Sequence, residues 1–294
     1  MEIRMLRYFL AVAQEQSISK AAQTLHITQP TLSRQIKGLE ASLDTDLFTR
    51  KKGKMVLTES GLFLKKRAED ILYLNDKTEK EFNDDKQELL SGHISVGCVE
   101  ADNSDTLALM LEEFVAEHNQ VTFSIFSGTS DDIVDRLDKG LLDLAILLEP
   151  ISTDKYHKLV LPRREKWGLM VSSQSYLARK ESIDVEELVG IPLLCSGRED
   201  VQNMIKSWNA LQGKNLNIVG TYNLIFNVFS LVENRVGSAL TIEGAMANRD
   251  TSNVKFLPIV PELTTNCVLV WKKNTLLPLS VNKLVEKFLQ AFQA

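Results

Sequence analysis

Three cysteines, four histidines and seven prolines in 294 residues leave little material for several kinds of chemistry. Cys98, Cys195 and Cys267 are odd in number and far apart, and none belongs to a C-x-x-C pair. That excludes a disulfide framework and suits a reduced cytosol, with all three as small core residues. His26, His93, His118 and His157 never fall at metal-ligand spacing, so neither metal nor cofactor is expected. No G-x-S-x-G elbow, G-x-x-x-x-G-K-[ST] loop, G-x-G-x-x-G turn or H-E-x-x-H pair is present, which argues against an enzyme. The acid pairs Glu112-Glu113 and Asp131-Asp132 read as solvated helix faces. No apolar run approaches a membrane span, and the N-terminus opens into an amphipathic helix with no signal-peptide h-region. A cytoplasmic protein without a membrane partner is the expectation.

Positive charge is also scarce, with a net of −5, until its distribution is considered. Residues 1–58 carry nine Lys/Arg and five Asp/Glu, a net of +4, which leaves 25 bases and 34 acids elsewhere. A basic N-terminal module on an acidic body suits a local contact with DNA.

Thr28-Gln29-Pro30-Thr31-Leu32-Ser33-Arg34-Gln35-Ile36 reads as the start of a helix. Thr28 is the N-cap, Ile27 and Leu32 occupy the positions of a hydrophobic staple, and Pro30 sits where no intrahelical N–H is needed. At about 100° per residue, Leu32, Ile36, Leu39 and Leu43 face one way and Pro30, Ser33, Arg34 and Lys37 the other. Upstream, Leu6, Phe9, Leu10 and Ala13 stripe a first helix. Ser19 is expected to cap a short second one that buries Ala21, Ala22 and Leu25, with His26-Ile27 as the turn. Downstream, Leu47 to Thr58 reads as two short strands around a basic turn, the wing of a winged helix-turn-helix. Ser19, Thr28, Gln29, Pro30, Thr31, Ser33, Arg34, Lys37, Arg50, Lys51, Lys52 and Lys54 are the expected DNA contacts.

The segments Ser19-Lys20-Ala21-Ala22, Leu25-His26-Ile27-Thr28-Gln29-Pro30, Leu32-Ser33, Gln35-Ile36, Leu39-Glu40, Leu47-Phe48-Thr49-Arg50, Leu57-Thr58 and Gly61 together resemble the N-terminal domain of LysR-type transcriptional regulators. The resemblance continues along the chain, more by pattern than by motif in the C-terminal part. It implies a winged helix-turn-helix at 1–58, a dimerising linker helix at 59–90 and an effector-binding domain at 91–294. It further implies promoter DNA, a small-molecule effector, a second copy of the chain (homodimer or homotetramer) and RNA polymerase as partners.

Thr58 is a second N-cap, and positions 64, 68, 71, 75, 78, 82, 85 and 89 trace a heptad seam with polar interruptions, where Asn75 would set register. From Gly92 the pattern alternates between strands and helices. Strand-like runs fall at 93–98, 121–126, 144–148, 167–171, 191–195, 236–241 and 267–271, with a last helix from Ser280. The β-α-β-α-β order implies parallel pairing with helices on the faces, an α/β class. The two cycles resemble the two lobes of periplasmic binding proteins, the architecture of the family's effector domain. Lobe I is placed at about 91–161 and 266–294, and lobe II at about 162–265.

Ligands in open α/β sheets lie beyond the carboxyl ends of strands. Glu100, Ala101, Asp102, Thr129, Ser130, Ser196, Arg198, Thr221 and Asn223 occupy such places and are the expected effector contacts. Ala101 stands where many relatives carry Ser or Thr, and Glu100 and Glu149 add carboxylates at strand ends. Arg198 is the cation placed to hold an anionic ligand. A small-metabolite-binding protein with no DNA-dependent role is the alternative. Salt-dependent retention on DNA separates the two.

Overall fold

Serine and threonine caps set helix starts in the N-terminal part of this computed structural model, which describes residues 1–51, 53–84, 90–208, 214–247 and 250–292. The chain divides into two units, Met1–Asn83 and Asp84–Ala294. In the first, α1 (Ile3–Glu15), α2 (Ile18–Thr24) and α3 (Gln29–Leu43) close around Leu6, Phe9, Val12, Ala21, Ala22, Leu32, Ile36 and Leu39. Leu10, Ala13 and Leu25 are only half-buried, and Val12 takes the central place that the stripe had given to Leu10 and Ala13.

Two expectations need correction here. The cap of α2 is Ser17, whose Oγ accepts from Lys20 N at 3.4 Å. Ser19 is exposed and instead donates to Gln29 Oε1 at 3.2 Å, bridging α2 to the start of α3. Leu43 is 40% exposed, because α3 ends there and the left-handed Asp44 turns the chain away from the core. Thr28 does cap α3, accepting from Thr31 N, and Ile27 and Leu32 pack in the same cluster.

The strands β1 (Phe48–Lys51) and β2 (Lys54–Leu57) pair antiparallel, with Lys51 opposite Lys54 and a positive φ at Gly53 closing the turn. Glu40 holds the hairpin to α3, its Oε1 accepting from Leu47 N at 2.9 Å and Phe48 N at 3.2 Å. Thr58 caps α4 (Glu59–Asp84) by accepting from Gly61 N at 3.0 Å, and its hydroxyl donates to the Asp46 carbonyl at 2.7 Å. Of the heptad seam, Leu64 and Ala68 are buried against the N-terminal core and Phe82 is 70% exposed. Asn75 binds Glu79 and Asp76 on its own helix. Asp85 and Leu89 lie outside the described residues.

The second unit is α/β. Its strands are β3 (Ser91–Cys98), β4 (Gln120–Ser127), β5 (Leu144–Leu148), β6 (Tyr156–Ser172), β7 (Ile183–Asp184), β8 (Leu193–Ser196), β9 (Ile218–Tyr222), β10 (Ser238–Ile242), β11 (Val254–Val260) and β12 (Thr264–Lys272). Its helices are α5 (Asn103–Glu117), α6 (Ser130–Asp138), α7 (Glu199–Lys206), α8 (Val228–Glu233) and α9 (Leu279–Phe292). The sheet runs β4-β3-β5-β12-β6-β10-β8-β9, with β11 and then β7 branching from β6. Pairing is parallel within β4-β3-β5 and β10-β8-β9, as the alternation implied, and antiparallel wherever β6 or β12 takes part. The strand expected at 167–171 is the end of a 17-residue strand whose first half pairs with β12 and whose second half pairs with β10 and β11. The polar run Pro162-Arg163-Arg164-Glu165-Lys166 hid that continuity. The sequence reading also missed β7, β9, β11, α7 and α8, which are short or lie on half-exposed edges.

Gly61 marks the tightest junction of the first unit. A Cβ there would come closer than 3.0 Å to the Leu47 carbonyl oxygen and to Leu57 Cδ2. Gly61→Ala should therefore strain the wing against α4 and cost on the order of 1–3 kcal/mol, as overpacking does. In a denaturant titration followed by circular dichroism, the loss should fall on the first unit's transition. An unchanged transition would show that this junction tolerates a side chain.

Candidate nucleic-acid interface and ligand cleft

Helix α3 separates its two faces by burial. Leu32, Ile36 and Leu39 lie inside, Ser33 is half-buried, and Thr28, Gln29, Pro30, Thr31, Arg34 and Lys37 are exposed. Short hydroxyls at the N-terminus are locally ordered: Thr28 Oγ1 and Thr31 Oγ1 share a 2.8 Å hydrogen bond. Arg50, Lys51 and Lys54 project from the wing into solvent, and Lys52 lies outside the described residues. Among the described residues none of Arg34, Lys37, Arg50, Lys51 and Lys54 has an acidic partner within ion-pair distance. Five uncompensated cations on a helix-and-hairpin surface create a local positive potential in a chain whose net charge is negative. Arg7, by contrast, is engaged at 2.6 Å by Asp76 of α4.

In the second unit, the ends of β3, β5, β8 and β10 converge on a cleft lined by Val99, Leu148, Trp167, Val201, Ile225 and Ile242. Six of the nine expected effector contacts share that lining: Glu100, Thr129, Ser130, Ser196, Arg198 and Asn223. Three do not. Ala101 is buried under the start of α5 and borders a neighbouring hollow. Asp102 turns its carboxylate to Arg163 at 3.1 Å. The Thr221 side chain is exposed and not part of the lining, because alternate residues of β9 point to opposite sides and Tyr222 takes the cleft side.

Most polar groups in the lining already have intramolecular work. Thr129 caps α6 in a reciprocal box with Asp132. Ser130 Oγ, 2% exposed, exchanges hydrogen bonds with the backbone of Leu148 at 3.2 Å. Tyr222 donates its hydroxyl to the Leu240 carbonyl at 2.8 Å, and burial pushes its pKa up. Glu100 Oε2 accepts from Ile225 N at 3.0 Å. Arg198 Nε donates to Asp131 Oδ2 at 3.1 Å and Nη2 donates to the Pro150 carbonyl at 2.9 Å, while Nη2 also lies 3.1 Å from Asp131 Oδ1 as an ion pair. Asp131, which the sequence pattern places on a solvated helix face, is thus the partner of Arg198, the one cation in the lining among the described residues. Glu149 lies outside the lining. Burial pushes its carboxyl up, but hydrogen bonds from Lys158 and Asn266 outweigh this and hold it below the usual range. Nothing in periodicity distinguished Trp167, Val201, Ile225 and Ile242 from ordinary core residues.

A winged helix-turn-helix with a cationic outer face, carried on a chain with an α/β ligand cleft, defines a DNA-binding transcriptional regulator with an effector-binding domain. The chain belongs to the LysR family: residues 3–62 match the bacterial regulatory helix-turn-helix protein, lysR family, and residues 87–293 match the LysR substrate binding domain. It is 28% identical over 289 residues to the uncharacterized HTH-type transcriptional regulator YwbI of Bacillus subtilis, covering 97% of this chain and 95% of that protein. It is also 28% identical over 286 residues to the Hca operon transcriptional activator HcaR of Escherichia coli, covering 95% and 94%. Among solved structures it is similar to CbnR, a LysR family transcriptional regulator, with a TM-score of 0.78, 22% identity and 100% of each chain covered. Full-length CbnR complexed with its target DNA aligns with a TM-score of 0.77 at 21% identity, covering 99% and 100%. Those two likenesses speak to the fold. Among the described residues no helix is long and apolar enough to cross a membrane.

Arg34 stands on the exposed face of α3, opposite the buried Leu32, Ile36 and Leu39, so Arg34→Ala should weaken operator binding and leave the melting curve intact. Loss of a guanine contact would remove about 1–3 kcal/mol of discrimination. Loss of a phosphate contact would instead weaken all sequences alike and reduce the salt slope by about one. Fluorescence anisotropy across a salt series distinguishes the two, and unchanged affinity would remove Arg34 from the interface.

Proposed function

We propose that residues 1–58 dock on promoter DNA through the exposed face of α3 and the wing. Ser19, Thr28, Gln29, Pro30, Thr31, Ser33, Arg34 and Lys37 would lie along the major groove, with Arg50, Lys51, Lys52 and Lys54 on flanking phosphates. Residues 59–90 pair two copies of the chain, as a homodimer or a dimer of dimers. Residues 91–294 bind a small molecule in the cleft, with lobe I at about 91–161 and 266–294 and lobe II at about 162–265. Glu100, Thr129, Ser130, Ser196, Arg198 and Asn223 border that ligand. The regulator works in the cytoplasm and passes its state to RNA polymerase. The observation that carries this reading is the set of five cations on the helix and wing that have no acidic partner among the described residues, since a metabolite carrier has no need of such a surface.

A ligand changes DNA binding only if it favours one arrangement of the paired chains over another. The test therefore uses the full chain on a promoter fragment, footprinted with and without metabolites that raise its melting temperature. The footprint should change with the effector, and operator affinity should fall steeply with salt. In sedimentation equilibrium the mass should be an even multiple of the 33.1 kDa chain. Salt-insensitive or absent DNA retention would favour the metabolite-binding alternative. A monomer at footprinting concentration would remove the pairing role of residues 59–90.

A further inference from the structure

We propose that the cleft of the C-terminal unit takes an uncharged, mainly apolar small molecule carrying a hydrogen-bond acceptor such as an amide or ketone, rather than a free carboxylate. This rests on reading that cleft as the effector site. Arg198 is the one cation in the lining among the described residues, and its side chain is only 9% exposed. Its charge is matched by both oxygens of Asp131 and its Nη2 also serves the Pro150 carbonyl. Asp131 is part of the same folded chain, so its effective concentration at Arg198 is at least in the millimolar range, and a dissolved carboxylate must displace it. The incoming anion would also sit beside the Glu100 carboxylate.

The groups left over suit a neutral molecule. Arg198 Nη1 and the Asn223 amide have no hydrogen-bond partner among the described residues, and both residues border the cleft. The walls are the apolar side chains of Val99, Leu148, Trp167, Val201, Ile225 and Ile242. A guanidinium whose charge is matched but whose remaining N–H groups are unpaired is a donor for a carbonyl oxygen. Asp131 and Arg198 lie on opposite lobes, as do Glu100 and Ile225. The same two contacts thus tie the lobes together around the space that the ligand would fill.

Three probes with one ring and different heads test the proposal on the full chain: phenylacetamide, phenylacetate and phenethylamine. Binding is read from intrinsic tryptophan fluorescence, because Trp167 lines the cleft, with Trp167→Phe as the locator. Phenylacetamide should bind at least about tenfold more tightly than phenylacetate, a difference of about 1.4 kcal/mol. Asp131→Asn keeps a carbonyl acceptor for Arg198 but frees its charge, so the amide-to-carboxylate affinity ratio should fall by about tenfold or invert. Equal or tighter binding of phenylacetate, or tightest binding of phenethylamine, in a Trp167-dependent titration overturns the neutral-ligand inference and leaves the cleft as the site. A ratio unmoved by Asp131→Asn overturns the role given to that ion pair. No response to any probe up to about 10 mM, where fragment-strength binding registers, or a response that survives Trp167→Phe, overturns the cleft reading itself and the inference with it.

Discussion

A buried carboxylate at a strand crossing ties β6 of the C-terminal unit to the start of α5. Glu165, 1% exposed, sits on β6 at the point where the strand leaves β12 and begins to pair with β10. An ion removed from water costs several kcal/mol unless hydrogen bonds replace hydration. Here Oε1 accepts from Asp102 N at 2.8 Å, at the start of α5, while burial pushes the carboxyl pKa up. Gly244 completes the junction, since a Cβ there would come closer than 3.0 Å to Asp102 N and to Glu165 Oε2. The exits of β3 and β10 are thereby brought face to face, and the cleft is the space between them.

The N-terminal unit solves a different problem with the same kind of group. Four short connections must each end one element and start the next without leaving backbone N–H groups unpaired. Ser17, Thr28 and Thr58 do this at helix starts, and Glu40 does it for the first strand of the wing. These groups satisfy the backbone locally, and among the described residues the cations of α3 and the wing take no part in those contacts and have no acidic partner.

In the cleft the balance is reversed. Ser, Thr, Asp and Arg side chains at strand exits were read as ligand contacts from their types and positions, and six of the nine expected residues do meet there. Contacts within the chain then claim most of them: Thr129 locally for the α6 cap, and through tertiary contacts Ser130 for Leu148 and Arg198 for Asp131 and Pro150. A polar residue at a strand exit marks where a ligand can sit. What remains unpaired there determines what kind of ligand is held.

Periodicity and caps in the sequence were sufficient to determine the helix-turn-helix, the wing, the cationic face and the parallel α/β alternation, because each depends on residues within about one or two turns or strands of each other. The start of α2 was misplaced by two residues because Ser17 and Ser19 are equally good caps, and only packing chose between them. The 17-residue β6, the edge strands and the Arg198–Asp131 pair were decided by tertiary structure alone. Their causes lie 67 residues apart for the ion pair and 102 for the alignment of Arg164 with Asn266 across β6 and β12. No local pattern records contacts at such separations, so the identity of the cleft's free donors had to wait for the folded chain.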